Sequence, residues 1–257
     1  MQATPKREIR RSDEHYTPIA ADYTTSTIHS QGDDLGRLVP LSGVAPGARL
    51  LDVGAGTGHA GLAFQSLGVE IVALDMTAAM LSQARNLARS RGATLDPLLG
   101  MAESLPLQSA TFDAVVCRYC AHHFMDVERA VNEWRRVLRP GGPLLFVDHV
   151  APEEDEADEF VNRLDWLRDP SHHREPKLSE YRRWFATAGL AIDSIEHFRE
   201  TMTVEPWFQR ARTAPDRQAE ARAMLAGASS DLRATFSIVD DPLAFDLHMV
   251  LIRATAT

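Results

Sequence analysis

Cysteine is almost absent from this sequence: Cys117 and Cys120 are the only two in 257 residues. A disulfide framework is therefore excluded, and a reducing cytoplasm is the expected location. The pair spells C-x-x-C, but it lies in FDAVVCRYCAHHF, where residues 114–119 read as a buried strand. Residues three apart on a strand point to opposite faces, so the spacing argues for two separate buried thiols rather than one clamped ion. Long apolar runs are lacking as well. The opening MQATPKREIRRSDEHYTP has no apolar stretch of signal-peptide length, and no run approaches the ~18 apolar residues of a membrane span. Positive charge is also scarce: 27 Lys and Arg face 36 Asp and Glu, a formal charge of −9. That balance argues against a broad nucleic-acid footprint, although arginines gather at 182–183 and 210–222 and leave a local basic patch open. A small molecule is the expected partner. A monomer and a homodimer both stay open.

What is present reads as one α/β domain. Apolar strand segments at 49–53, 69–75, 95–100, 113–119 and 143–150 alternate with helical segments at 60–68, 77–92 and 126–138. Such alternation means βαβ units and a parallel sheet, and strands rich in Leu, Val and Ile mean that both faces are covered. Residues 16–41 read as a helical stretch burying Ile28, Leu35 and Leu38, after a polar, frayed stretch at 1–15. After Ala151 the rhythm breaks. An amphipathic helix carries Phe160, Leu164 and Leu167 on one side, a helix follows at 179–189, a strand at 190–198 and a polar helical segment at 205–229. Two apolar runs around Asp240-Asp241-Pro242 then signal a hairpin.

The chemistry concentrates in RLLDVGAGTGHAGLAF, residues 49–64. Gly54, Gly56 and Gly58 follow a strand and open a helix, so a ligand must approach backbone closely there. A dinucleotide fingerprint would need Gly or Ala where His59 stands, and Asp52 at the mouth of the turn would repel a pyrophosphate. No P-loop lysine follows. Asp52 suits a cationic ligand instead. The second strand ends at Asp75, 21 residues past Gly54, where an acid commonly accepts hydrogen bonds from ribose hydroxyls. A nucleoside with a cationic amino-acid tail is S-adenosyl-L-methionine, which is the expected cofactor.

These residues also carry a resemblance. LLDVGAGTG, ALDMTAAML, GMAESLPLQSATFDAVVC, RYCAHHFMD and WRRVLRPGGPLLFVDH are similar to the successive motifs of class I S-adenosylmethionine-dependent methyltransferases. The nearest group is the ubiquinone/menaquinone-biosynthesis-like (methyltransferase type 11) family, in a branch without assigned substrate. That branch carries segments resembling CRYCAHHF and FVNRLDWLRDPSHHRE, so the similarity spans nearly the whole chain. It implies a Rossmann-like, doubly wound, mostly parallel seven-stranded sheet with a C-terminal antiparallel hairpin and a helical lid. It divides the single domain into an N-terminal lid (1–45), a cofactor-binding core (46–150) and an acceptor-side lid with sheet completion (151–257). It places Asp52, Gly54, Ala55 and Gly56 against the methionine moiety, Asp75 on the ribose and Met76 against adenine. Met101, Ala102 and Glu103 border the adenine, with Met101 standing where the family often has a polar residue. Arg118 comes from the strand beside the methionine end, and Tyr23 closes over the cofactor. A solvated loop acid is the plain alternative for Glu103.

Methyl transfer from a sulfonium is an in-line displacement that needs a base only when the acceptor must lose a proton. Ligands of such sheets bind at the carboxyl ends of the strands, which puts His122, His123, Asp148 and His149 near the methyl. His123, His149 and Asp148 are the catalytic candidates; His122 reads better as packing. Tyr16, His122, Asn162, Trp166, Arg168 and His173 are candidates for the acceptor pocket, with Trp166 alternatively in the core and residues 169–171 a plain turn. The histidine pairs at 122–123 and 172–173 are about fifty positions apart, and no acid–histidine spacing supports a metal, so none is expected. The expected activity is O-, N- or C-methylation of a quinone-like or secondary-metabolite acceptor. The alternatives are a non-catalytic cofactor-binding module and a nicotinamide oxidoreductase.

Overall fold

The computed structural model describes residues 9–257. Its strands are β1 (Arg49–Val53), β2 (Glu70–Asp75), β3 (Asp96–Leu99), β4 (Ala114–Arg118), β5 (Pro143–His149), β6 (Leu190–Thr203), β7 (Val239–Asp240) and β8 (Leu243–Ala256). They form one sheet in the order β3-β2-β1-β4-β5-β8-β6, with the two-residue β7 paired to β8. β1 to β5 run parallel, and β8 enters antiparallel between β5 and β6. The inner strands are saturated with buried apolar residues on both faces, as a sheet covered on both sides requires.

One layer packs Trp134, Tyr181 and Phe185 against Phe146, from helices Val127–Val137 and Leu178–Ala188. The opposite layer packs Leu38, Leu62 and Leu81, from helices Asp33–Ser42, His59–Ala63 and Ala78–Ser90. A third apolar cluster joins helix Asp155–Arg168, through Val161 and Leu164, to Trp207, Phe208 and Phe245 under the long β6–β8 ribbon. The strand order reverses between β1 and β4, so the loops leaving these two strands diverge and open a crevice at their carboxyl ends.

Several local expectations are corrected. The stretch 16–41 is a chain of short helices, Ser12–Tyr16, Ala20–Thr24, Thr27–Gln31 and Asp33–Ser42, with a 3-10 turn at Thr17–Ile19. Pro18 and the extended backbone at Ser26 and Gly32 interrupt it. Of the stretch 1–15 expected to be frayed, residues 1–8 lie outside the described residues, while His15 is buried within the first helix. The expected hairpin is present but short: Val239 and Asp240 pair antiparallel with Ala244 and Leu243 across Asp241-Pro242. Only residues 234–235 of its first run belong to the helix Ser230–Thr235, and the main partners of β8 are β5 and β6. Cys117 and Cys120 are not on opposite faces. Tyr119 takes φ 55°, which ends the strand, and the two sulfurs meet at 3.2 Å. Among the described residues no helix is long and apolar enough to cross a membrane.

Candidate active site

The carboxyl ends of β1, β2 and β4 open onto a cavity of about 400 Å³. Gly54 leaves β1 at φ 64°, and a β-carbon there would stand 2.4 Å from Cys120 Sγ, so only glycine fits the turn. Two turns are then tied to one carboxylate: Gly56 N–H donates to Asp75 Oδ2 at 2.8 Å, and Thr77 N–H donates to Oδ1 at 2.7 Å. Burial raises the Asp75 pKa against these backbone donors. Asp52 borders the cavity and is 1% exposed; its Oδ2 accepts from Gly61 N–H at 2.8 Å. It thus anchors the first turn of the helix that follows the glycines. Burial pushes its carboxyl up to about 7. Ala55, Met76, Met101, Ala102 and Glu103 line the same end. Glu103 is buried, not a solvated loop acid, and accepts from Met125 N–H at 2.9 Å.

Arg118 borders the cavity, but its donors serve the N-terminal helices. Nη2 donates to Asp34 Oδ1 and to the Ile28 carbonyl, Nη1 to the His29 carbonyl, each at 3.0 Å, and Nε pairs with Asp34 Oδ2. Its observed contacts latch the lid. Tyr16 and Tyr23 come from that lid, and both line the cavity. Tyr16 Oη donates to Asp169 Oδ2 at 2.7 Å and lies 2.9 Å from His123 Nε2. His123 Nδ1 is 3.1 Å from the Ser171 carbonyl. Burial works to raise the Asp169 carboxyl, but His123, His15 and Arg168 outweigh it and hold it below the usual range. Burial and Asp169 together push the Tyr16 phenol well up, so it stays protonated.

The other histidines sort differently. His122 lies 4.0 Å, centroid to centroid, from His149 and 5.6 Å from His172, so the two sequence-distant pairs converge. That overturns the premise on which a metal was set aside. The ligand atoms of His122, Asp148 and His149, and those of His149, Asp165 and Glu175, each gather within 4.8 Å. In this structure the first set is hydrogen-bonded internally. Asp148 is 0% exposed, accepts from His122 Nδ1 at 2.7 Å and from Ala121 N–H at 2.7 Å, and is not among the cavity walls. Its expected catalytic place is corrected: it anchors the turn that carries the histidines. His149 reaches the cavity with Nδ1 2.5 Å from Glu175 Oε1, and burial raises Glu175 to about 7.

Asn162 and Trp166 are likewise corrected as pocket residues. Asn162 accepts from Glu175 N–H at 2.7 Å and donates to Asp158, bracing the loop from behind. Trp166 sits against the guanidiniums of Arg163 and Arg217, with centroid distances of 4.6 and 4.0 Å. Their helix turns both away from the cavity, whereas Arg168 and His173 do line it. Sequence reasoning missed Asp34, Glu200, Met202, Trp207, Arg210, Leu247 and Met249. All but Asp34 line the far end of the cavity. The signal available for Arg210 was only its place beside Trp207 in a segment read as polar and helical.

Comparison with known proteins bears on this geometry. Residues 51–146 match the family described as Methyltransferase domain. The chain is 39% identical over 243 residues to the uncharacterized methyltransferase YcgJ of Bacillus subtilis, covering 93% of this chain and 96% of YcgJ. The YcgJ crystal structure is similar with a TM-score of 0.83 at 38% identity, over 86% of this chain and 97% of that one. BH2331 of Bacillus halodurans C-125 gives a TM-score of 0.84 at 32% identity, over 88% of this chain and 100% of that one. A ubiquinone biosynthesis O-methyltransferase of Xanthomonas axonopodis pv. citri is 30% identical over 179 residues, 65% of this chain and 70% of that protein.

Proposed function

This chain belongs to the S-adenosylmethionine-dependent methyltransferases, and from that premise we propose that it methylates a small molecule held in the cavity between Asp75 and the Tyr16–His123 wall. The observation that carries the reading is Asp75, a carboxylate at the end of β2 that borders the cavity and is aligned by two backbone N–H groups. That arrangement suits a ribose diol.

The residues present fit the donor. Gly54 leaves no side chain over the turn, Asp75 accepts hydroxyl hydrogens, and Asp52 supplies negative charge beside the cationic end. Bound there, S-adenosylmethionine supplies an electrophilic methyl group on a sulfonium, ready for in-line displacement. The chain's own task is to exclude water, align the acceptor and, where the acceptor must shed a proton, receive it.

Tyr16, His123 and Asp169 suit that last task. Nδ1 of His123 donates to the Ser171 carbonyl, which leaves the lone pair of the neutral ring on Nε2, facing Tyr16 Oη. For a proton to reach Nε2, the Tyr16 hydroxyl turns its single hydrogen from Asp169 to Nε2 and passes it on as Oη takes the acceptor's proton. The imidazolium formed then donates to Oη, which donates again to Asp169. The ionised Asp169, bonded to the same hydroxyl, stabilises that charge. His149, with its Glu175 partner, is a second proton-holding group farther along the wall. A nicotinamide oxidoreductase has no comparable use for Asp52 beside the glycines.

The test is calorimetry with S-adenosylhomocysteine on the native chain and Asp75→Asn, paired with a methyl-transfer assay over oxygen, nitrogen and carbon acceptors. Losing a charged hydrogen-bond acceptor should weaken binding about ten- to hundredfold, or about 1.5–3 kcal/mol. Unchanged binding in the variant sinks the Asp75 assignment.

A further inference from the structure

The far wall of the cavity carries cationic and hydroxyl donors that, among the described residues, meet no carboxylate in ion-pair or hydrogen-bond contact. Arg168, the last residue of helix Asp155–Arg168, donates through Nε to the Trp207 carbonyl at 3.3 Å, with its guanidinium 5.5 Å from the Trp207 ring centroid. Arg210 lies one turn beyond Trp207 on helix Val204–Ala211, so it shares that helix face. Its one hydrogen bond among the described residues is Nη2 to the Met202 sulfur at 3.7 Å, and its buried Nε has no partner. The buried hydroxyl of Tyr23 has none either. All three residues line the cavity.

Half-buried arginines normally meet a carboxylate. Among the described residues neither of these has one within ion-pair distance, whereas Arg118 on the same cavity is paired with Asp34. The nearby acids are engaged elsewhere: Asp169 accepts from Tyr16 and Ser171, and Asp165 faces His149 at 3.5 Å. Glu200 is the remaining acid on this wall and stands outside ion-pair distance of either arginine. Burial and the like charge of Arg168 pull Arg210 down to about 10, so both stay charged at neutral pH and repel one another. Guanidiniums with no carboxylate in ion-pair contact and an orphan hydroxyl on one cavity cost stability in the free protein, and an oxyanion relieves that cost.

We propose that Arg168, Arg210 and Tyr23 form an oxyanion subsite, and that the methyl acceptor is a carboxylate-bearing molecule with an apolar or aromatic body. The body is accommodated by Trp207, Met202, Leu247 and Met249 on the same wall. Charge favours carboxylate over phosphate: Glu200 and Asp169 nearby already offset part of the positive charge of the two guanidiniums, which suits a monoanion better than a dianion. The inference rests on the methyltransferase reading for the donor end only.

The experiment titrates the full chain, saturated with S-adenosylhomocysteine, with aryl and medium-chain alkyl carboxylic acids, their primary amides and the matching phosphate monoesters. Acids should bind about ten- to hundredfold more tightly than their amides. Arg210→Met and Arg168→Met should erase that preference while S-adenosylhomocysteine still binds. Arg210→Met should melt no lower than the native chain, because it removes a repelled cation. Acids and amides indistinguishable across the panel, phosphate monoesters preferred over acids, or a marked fall in melting temperature for Arg210→Met would each overturn the subsite. Absence of S-adenosylhomocysteine binding to the native chain would instead overturn the methyltransferase reading, leaving the two failures distinct.

Discussion

Asp52 shows how one buried carboxylate serves both fold and ligand. It holds the Gly61 amide and at the same time faces a cavity fit for a cation. With its pKa raised to about 7 by burial, the folded protein binds a proton there more tightly than the unfolded chain does. Asp75 adds to the rise, and Arg118 opposes it. The associated stability is therefore present at low pH and is lost as pH climbs from the ordinary carboxylate range through about 7. A cationic ligand favours the ionised form, so affinity for S-adenosylmethionine should fall below pH 7 by up to about tenfold per unit. Calorimetry between pH 5.5 and 8 checks this, with Asp52→Asn, which keeps an acceptor for Gly61, expected to bind weakly and with a flatter profile. A pH-independent affinity in the native chain would show that Asp52 does not sense the ligand.

At the scale of elements, the N-terminal helices are fastened by buried polar contacts as well as by apolar packing. Arg118 and Asp34 form a buried pair across the crevice, Tyr16 reaches Asp169, and Arg212 meets Asp22 at 2.7 Å. The apolar contribution is the small cluster of Tyr16, Ile19, Ala20, Tyr23 and Met80 for the first helices, and Leu35, Leu38 and Val39 in the main core for helix Asp33–Ser42. Removing one partner of a buried pair leaves the other charge unpaired, so Asp34→Asn and Arg118→Met should each cost about 3–5 kcal/mol. The double variant should cost less than the sum of the singles. Urea unfolding of the set measures this, and additive losses would show that the two residues act independently. This latch was not legible in the sequence, because Asp34 and Arg118 are 84 positions apart. The Tyr119 turn was hidden for a related reason: a run of strand-like residues does not reveal where a left-handed residue ends the strand and brings Cys120 against Cys117.

At the scale of the whole molecule, a ligand that bridges β1, β2 and the lid should stabilise the entire fold. At about 100 times its dissociation constant, S-adenosylhomocysteine should add about 2.7 kcal/mol, or roughly 5 to 10 °C in melting temperature for a chain of this size. NADH in parallel should give no shift. A thermal-shift titration checks both, and an NADH shift equal to that of the adenosyl compound would contradict the cofactor reading.

The sequence by itself determined what is local: the apolar strands, the glycine turn that only backbone can occupy, and an acid at the end of each of the first two strands. These follow from steric and hydrogen-bonding rules acting within one βα unit. Which histidines meet, which stand in the cavity, and which arginines go unpaired depend on how segments from both ends of the chain pack over β4 and β5. Asp148 and Asn162 looked like site residues by position, and packing turned them into braces. Arg210 stands in a segment that reads as polar and helical, and packing set it on the cavity wall with Arg168, with no carboxylate in ion-pair contact among the described residues. Only the tertiary structure decides such pairings, because pairing depends on distance in space and not on distance along the chain.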